Sequence, residues 1–182
     1  KAGRRVLDLA CGQGVFSRFL LEKKIKTEGL DSSEELLRMA RAHSVKPITY
    51  HLGNAGDGKL LDGQEFDGIA CLLAVQNMEK VEPVFQNVAR WLKPKGKFVM
   101  VLTHPCFRIP RQTHWGWDDE KKIEYRRIDR YANEMKIPML TPPFIDKVNF
   151  TMTYHRPLQN YFSALLKAAL CVDSLAEWMT KL

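Results

Sequence analysis

Two carboxylates and a glycine-rich turn stand close together near the start of the chain, and their spacing can hold a nucleotide-like ligand. The apolar run 6–9, which contains Asp8, predicts a strand. Residues 10–14 then predict a tight turn with two glycines before a helix, and we call this segment the glycine turn. A second strand-like run ends at Asp31, 17 positions after Gly14. A carboxylate at this distance can accept hydrogen bonds from both hydroxyls of a ribose.

The glycine turn departs from the pattern of dinucleotide-binding proteins. It lacks their third glycine, and the bulky Val15 and Phe16 open the helix instead. The carboxylate of Asp8 would repel a pyrophosphate and attract an ammonium group. The first N–H groups of the helix suit a carboxylate. A ligand with an α-amino group, an α-carboxylate and a ribose meets all three demands, which favours S-adenosylmethionine over a nicotinamide cofactor.

Five motifs between residue 4 and about residue 102 resemble those of the class I S-adenosylmethionine-dependent methyltransferases, most closely the methyltransferase type 11 group. In chain order they are Asp8–Gly14, Gly29–Ser33, Gly53–Ala55, Phe66–Asn77 and Leu92–Lys97. The stretches 103–111 and 154–158 also resemble a subset of that group. The resemblance implies an enzyme that uses S-adenosylmethionine and releases S-adenosylhomocysteine.

The resemblance also implies which residues bind the cofactor, and it requires no metal. Asn54 stands where an aspartate is common in the family, and its amide can hydrogen-bond the adenine edge as a neutral group. The implied cofactor-binding residues are Asp8, Ala10, Cys11, Gly12, Gly14, Asp31, Ser32, Asn54, Ala55 and Leu72.

Strand-like runs alternate with helical patterns, which predicts an α/β chain with a Rossmann-like, doubly wound, mostly parallel sheet. We expect strands near 4–9, 25–30, 47–52, 66–73 and 96–103. Ser32 and Glu35 match a capping box at the start of a helix. The helix that usually precedes the first strand and the seventh strand of the family are not found, so we expect a chain truncated at both ends.

The length of 182 residues predicts a single domain, which we divide into three parts. Residues 1–103 form the cofactor-binding core. Residues 104–156, rich in Pro, Trp and charge, form a lid or substrate-binding insertion, with a short helix near 119–134 and a strand at 147–155. Residues 157–182 form a last helix that begins at Pro157 and a sixth strand at 172–178.

Methyl transfer from a sulfonium is an in-line displacement, so the protein needs no nucleophile of its own and contributes mainly by positioning. A base helps when the acceptor is a hydroxyl or an acidic carbon, and histidine is the usual base near neutral pH. His104, which follows the fifth strand, is the first candidate, His155 the second and His114 the third. A structural role is the alternative for each.

The distribution of charge along the chain indicates which kind of substrate the protein binds. The net charge of +7 is made up of 0 in residues 1–89, +6 in residues 90–130 and +1 in residues 131–182. Such a field favours a small-molecule substrate of anionic or aromatic character. Nucleic acid is disfavoured because the basic residues do not form one long stripe. An RNA or tRNA methyltransferase and an inactive cofactor-binding partner module remain the alternatives, and the oligomeric state is open.

The cysteine pattern and the hydropathy indicate the cellular compartment of the protein. Four scattered cysteines without a CxxC pair predict reduced thiols. No apolar run approaches the length of about 20 residues that a membrane helix needs. We therefore expect a cytoplasmic protein without a membrane partner.

Overall fold

The computed structural model describes residues 3–140 and 150–178, and its centre is a five-stranded sheet in which every neighbouring pair is parallel. The strands lie side by side in the order β3-β2-β1-β4-β5. Their bounds are β1 Arg5–Leu9, β2 Lys26–Asp31, β3 Thr49–Leu52, β4 Phe66–Leu72 and β5 Leu92–Val101. All five predicted strands are therefore present. The last starts earlier than expected, directly after a helix.

Four helices flank the sheet: α1 Val15–Glu22, α2 Glu34–His43, α3 Val81–Trp91 and α4 Leu158–Lys167. A single 3-10 turn, Val75–Asn77, follows β4. None of the helices within the described residues is long and apolar enough to cross a membrane. The chain order of strands and helices confirms the predicted Rossmann-like fold.

The alternation of side chains along β1 places helices on both faces. Leu7 and Leu9 are fully buried in the main core with side chains of α3 and α4. Asp8 points to the other face, where Ser17 of α1 donates a hydrogen bond to it. Tyr50 of β3 shares that face and packs on α2. The sheet is thus covered on both sides, as a doubly wound fold requires.

The capping-box prediction named Ser32 as the N-cap of helix α2 and was wrong by one residue. Ser33 is the N-cap, and its Oγ accepts a hydrogen bond from the backbone N–H of Leu36 at 3.3 Å. The Asp31 carboxylate accepts the Ser33 N–H at 2.9 Å and holds Ser33 in an extended conformation. Asp31 therefore selects which of two adjacent serines caps the helix.

The expected helix near 119–134 is absent, and this prediction was wrong. Strands β6 Thr113–Asp118 and β7 Ile123–Ile128 form an antiparallel hairpin there. The Asp118 carboxylate accepts the N–H groups of Glu120 and Lys121 and so closes the hairpin turn. Isoleucine and tyrosine in the second strand favour this conformation over a helix.

A second antiparallel pair, β8 Met135–Leu140 and β9 Phe150–His155, follows the hairpin, and we call it the β8–β9 ribbon. β9 confirms the described part of the strand expected at 147–155, whose residues 147–149 lie outside the described residues. Pro157 is the N-cap of α4, directly before its first turn.

The sixth strand expected at 172–178 is not formed, so this prediction was wrong. The segment has no ladder hydrogen bonds, and Leu175 and Trp178 are exposed by 64% and 82%. An ion pair of Lys97 with Asp173 and a contact of His104 with Glu177 join it to β5 and to the residues after β5. Apolar residues alone therefore do not make a strand here, where the described part of the chain leaves Leu175 and Trp178 exposed.

Candidate functional site

The Asp31 carboxylate organises the sheet edge where β1 and β2 end. One of its oxygens accepts the Gly12 N–H at 2.8 Å, and the other accepts the Ser33 N–H at 2.9 Å. The Cys11 N–H donates to the carbonyl of Leu30 at 3.1 Å. These bonds fix the glycine turn against the end of β2. Each carboxylate oxygen keeps a further lone pair for a ligand.

The two glycines of the glycine turn have different reasons to be glycine. Both have positive φ, +52° at Gly12 and +71° at Gly14. A Cβ on Gly12 would meet open space, whereas a Cβ on Gly14 would lie 2.3 Å from the hydroxyl oxygen of Tyr50. Gly14 therefore serves close packing beneath the turn, and Gly12 leaves room above it. Ala10 also has a positive φ, 58°, and its backbone is strained in a way that glycine would not be.

Asp8 is buried behind the glycine turn, with 2% of its surface exposed. The Ser17 hydroxyl donates to its carboxylate at 2.6 Å. Burial raises the pKa of Asp8 to about 6, because desolvation disfavours the charged form more strongly than the Ser17 hydrogen bonds favour it. A cationic group brought near this carboxylate would favour its ionised form.

A cavity of about 600 Å³ opens at the carboxyl ends of β1, β2 and β3, and we call it the edge cavity. Its size lies within the range of small-molecule sites. Five of the ten predicted cofactor residues line it, namely Ala10, Asp31, Ser32, Asn54 and Ala55. The other five lie outside that lining: Asp8 is buried, Cys11, Gly12 and Gly14 belong to the glycine turn, and Leu72 ends β4.

Asn54 is held in place by its own turn. Its side-chain oxygen accepts the Gly56 N–H at 2.8 Å, and its carbonyl accepts the Asp57 N–H at 2.9 Å. From α3 the buried Asn87 amide donates to the carbonyls of Ala55 and Asp57 at 2.7 and 3.0 Å. The loop after β3 is thereby fixed as one wall of the edge cavity.

The sequence did not identify the opposite wall. It consists of residues before and at the start of α3 and of one residue from β9, namely Met78, Glu79, Lys80, Pro83, Val84 and Tyr154. Tyr154 belongs to the alternating pattern of β9, which predicts a strand and cannot say what that strand faces.

His104 lies after β5, at the same edge of the sheet, but it does not line the edge cavity. The Cys106 N–H donates to its Nδ1 at 3.1 Å, which leaves Nε2 as the protonated nitrogen. Nε2 lies 2.7 Å from the Glu177 carboxylate, and the ring packs on Phe107. Both ring nitrogens are therefore engaged in this conformation.

The other two candidate histidines also lie outside the edge cavity. His155 is buried, and its Nε2 is 2.9 Å from the carbonyl oxygen of Tyr131. His114 lies on the exposed β6–β7 hairpin with Nε2 3.9 Å from Asp129. The catalytic assignment of His104 and His155 stays a prediction. Among the described residues, no three His, Cys, Asp or Glu side chains gather as metal ligands.

Known proteins share both the sequence motifs and the fold of this chain. The family described as "Methyltransferase domain" matches residues 7–100. A solved S-adenosylmethionine-dependent methyltransferase from Mesorhizobium loti superposes with a TM-score of 0.78 at 30% identity, covering 97% of this chain and 78% of that one. The match spans all the strands of the central sheet and also the β8–β9 ribbon, so the likeness extends beyond the cofactor-binding half.

Several curated relatives carry the name ubiquinone biosynthesis O-methyltransferase. The one from Coxiella burnetii is 31% identical over 166 residues, which is 88% of this chain and 71% of that protein. The one from Thiobacillus denitrificans is 33% identical over 98 residues, or 52% of this chain and 42% of that protein. The chain spans less than two thirds of the length of several such relatives.

The family match covers the glycine turn, Asp31 and Asn54, and it runs from within β1 to one residue before the end of β5. The predicted fold and the predicted cofactor, S-adenosylmethionine, are confirmed with it. This chain belongs to the methyltransferase domain family, within the S-adenosylmethionine-dependent methyltransferases of class I.

Proposed function

We propose that this chain is the core of a methyltransferase that moves a methyl group from S-adenosylmethionine to a small-molecule acceptor by in-line displacement. One observation carries the proposal. The edge cavity opens at the carboxyl ends of parallel strands, directly over the Asp31 carboxylate and beside Asn54. Ligands of open α/β sheets bind at this edge, where loops from neighbouring strands meet.

The residues around the edge cavity fit the cofactor. Asp31 can accept both ribose hydroxyls through its remaining lone pairs. Asn54 offers a neutral amide to the adenine edge, and the open space above Gly12 admits the ligand close to the backbone. We assign cofactor binding to Asp8, Ala10, Cys11, Gly12, Gly14, Asp31, Ser32, Asn54, Ala55 and Leu72.

The cofactor supplies a methyl group already activated by a sulfonium. The chain itself has to hold the two reactants in line and exclude water, which can contribute several kcal/mol of rate acceleration. Should the acceptor be a hydroxyl, a base is needed to take its proton. His104 remains the first candidate and His155 the second. Because Nε2 of His104 carries the hydrogen, His104 can take a proton only at Nδ1, once the Cys106 N–H has left it.

A small hydroxylated molecule is the acceptor class that we propose. The relatives from Coxiella burnetii and Thiobacillus denitrificans are named as O-methyltransferases, which supports an oxygen acceptor. Residues 104–156 lie between β5 and α4, and we assign acceptor recognition to them. One residue of this stretch, Tyr154, also lines the edge cavity.

Calorimetric titration with S-adenosylmethionine, S-adenosylhomocysteine and NAD tests the cofactor assignment. We expect micromolar binding of the first two only. Asp31→Ala should weaken both by more than tenfold, because it removes a charged hydrogen-bond acceptor. Asp62→Ala, on an exposed loop, is the matched control. Binding of NAD alone, or unchanged affinity in Asp31→Ala, would contradict the assignment.

A screen for methyl transfer then tests the acceptor class. Purified protein is incubated with radiolabelled S-adenosylmethionine and a panel of phenols, aliphatic alcohols, amines and bulk tRNA. Methylation of hydroxyl compounds supports the proposal. Labelling of tRNA together with steeply salt-dependent RNA binding would favour the RNA alternative. Cofactor binding without transfer to any acceptor would favour the inactive module.

A further inference from the structure

The β8–β9 ribbon is attached to the wall of the edge cavity by side-chain contacts. The Thr153 hydroxyl donates to the Asn77 side-chain oxygen at 3.2 Å. The Arg156 guanidinium, 7% exposed, donates to the carbonyls of Met78 and Glu79, each at 2.9 Å. The ribbon therefore rests on the same short stretch that forms one side of the cavity.

Tyr154 lies between these two contacts and lines the edge cavity together with Asp31 and Asn54. Lys136 is its cross-strand neighbour on β8. The Lys136 ammonium lies 5.4 Å from the centre of the Tyr154 ring and 3.6 Å from the Glu79 carboxylate. Lys136 thus joins both strands of the ribbon to the cavity rim.

The neighbouring Tyr154 side chain and the negative charge of Glu79 raise the pKa of Lys136. The side chain therefore stays an ammonium throughout the neutral range. The ion pair with Glu79 holds this ammonium over the Tyr154 ring, and the cation–π contact restrains the ring because swinging it out would break that contact.

We infer that Tyr154 contacts the bound cofactor from the ribbon side and that Lys136 is the positioning residue that holds it there. Tyr154 and the ribose-binding carboxylate of Asp31 line one continuous cavity, so a ligand that fills it meets both. Three carboxylates and one ammonium line this cavity among the described residues, namely Asp31, Asp57, Glu79 and Lys80. Such a lining suits a cationic cofactor better than an anionic acceptor.

One functional consequence concerns release of the product. Withdrawal of Tyr154 requires the contacts Lys136–Glu79 and Thr153–Asn77 to break together, while the buried Arg156 keeps the end of β9 attached. The first two contacts are accessible to water and individually weak, so opening by thermal motion is feasible. The ribbon then acts as a cover over the edge cavity.

The identity of the ligand in this inference rests on the proposed function, and the test uses S-adenosylhomocysteine as probe. Calorimetry with Tyr154→Ala should give an affinity about tenfold lower, equivalent to 1.4 kcal/mol. Tyr154→Phe keeps the ring and should lose less. Tyr125→Ala, an exposed tyrosine of β7, is the matched control and should bind as the wild type does.

The role of Lys136 is tested by kinetics. Lys136→Met should raise the dissociation rate of S-adenosylhomocysteine about two- to fivefold, within the range of one exposed ion pair, without a change in melting temperature. Lys136→Arg should restore the slower rate. Lys121→Met, a lysine of the β6–β7 turn, serves as control. A merely structural lysine would change the melting temperature and leave the dissociation rate of the folded protein unaltered.

The outcomes separate the two proposals. Wild-type binding of S-adenosylhomocysteine with an unchanged affinity in Tyr154→Ala would overturn this inference alone. Failure of the wild type to bind it would overturn both. If Tyr154→Ala does not fold, the ring resonances of Tyr154 in the wild type decide: they should shift on addition of S-adenosylhomocysteine, and unperturbed resonances would overturn the inference.

Discussion

The glycine turn and the β8–β9 ribbon face the same cavity but are held in different ways. The turn is fixed by backbone hydrogen bonds to the Asp31 carboxylate and by Gly14 packing under Tyr50. The ribbon is held by side-chain contacts, and in its Lys136–Glu79 ion pair both side chains are more than half exposed. Partly buried bonds and close packing resist opening, whereas exposed ion pairs contribute little to stability. The turn is therefore the more rigid wall, and the ribbon can move about the buried Arg156 that anchors it.

The contrast matches the two tasks that a methyl transfer sets. A cofactor must be gripped at the same place in each cycle, which favours the preformed turn. Acceptor and product must enter and leave, which favours a cover held by contacts that break easily. The predictions that follow test the rigid wall first and the movable wall last, in order of decreasing effect.

Gly14→Ala should destabilise the rigid wall most. The new Cβ would lie 2.3 Å from the Tyr50 hydroxyl oxygen in a backbone with φ +71°. We expect a loss of about 3 kcal/mol in the free energy of unfolding, combining overpacking with left-handed strain. Urea denaturation measures it. Gly12→Ala, with positive φ but open space, should lose only about 1 kcal/mol, and equal losses would refute the packing role of Gly14.

Asp8 should make the stability of the free protein depend on pH. Its folded pKa, about 6, lies above the ordinary value of 3.8, so the protonated form is favoured by folding. The stability that protonated Asp8 contributes is then fully present below about pH 4 and is lost as the pH rises through 6. The two values differ by about 2 units, so the loss at pH 7.5 is about 2–3 kcal/mol.

Asp8→Asn should remove this dependence and raise the unfolding free energy at pH 7.5 without cofactor, while weakening S-adenosylmethionine binding. Chemical denaturation between pH 4 and 8 checks the first part and calorimetry the second. Asp62→Asn, on an exposed loop, is the control. A variant less stable than the wild type at pH 7.5 would show that the buried carboxylate is not strained.

Ala10→Gly should stabilise the glycine turn by about 0.5–1 kcal/mol. Ala10 has φ 58°, a conformation that costs an L-residue about 1–2 kcal/mol, and glycine relieves this cost in part because it loses more chain entropy on folding. Thermal unfolding measures the gain. Ala42→Gly, inside helix α2, is the opposite control and should be destabilising.

Glu79→Gln should loosen the ribbon with the smallest effect on global stability, under about 1 kcal/mol. It removes the charge that faces Lys136 at 3.6 Å. Hydrogen exchange should accelerate in the amides of β9 and remain unchanged in β1. Equal protection of β9 in variant and wild type would indicate that the ribbon is held by Arg156 and Thr153 alone.

In the first half of the molecule, local residue types were sufficient to predict the strands and the glycine turn. The strand, the two glycines and Asp31 lie close together in sequence, so their spacing alone brings them to one sheet edge. The five strands follow because parallel strands buried on both faces need continuous apolar runs. Within this half only fine detail failed, such as the choice of Ser33 over Ser32 as cap.

Prediction failed where the local pattern is compatible with more than one conformation. We expected a helix near residues 119–134, but this segment forms a hairpin because β7 pairs with β6. Residues 172–178 have a strand-like composition and still form no ladder. In both places tertiary neighbours, or their absence, outweigh weak local preferences.

The sequence by itself determined the fold class, the cofactor and the half of the cavity built from Asp31, Asn54 and the glycine turn, because these depend on short spacings and on periodic burial. Only the tertiary structure decided that Gly14 packs under Tyr50 and that Tyr154 lines the same cavity as Asp31. Such contacts join residues far apart in the chain, and no local spacing encodes which strand end meets which loop.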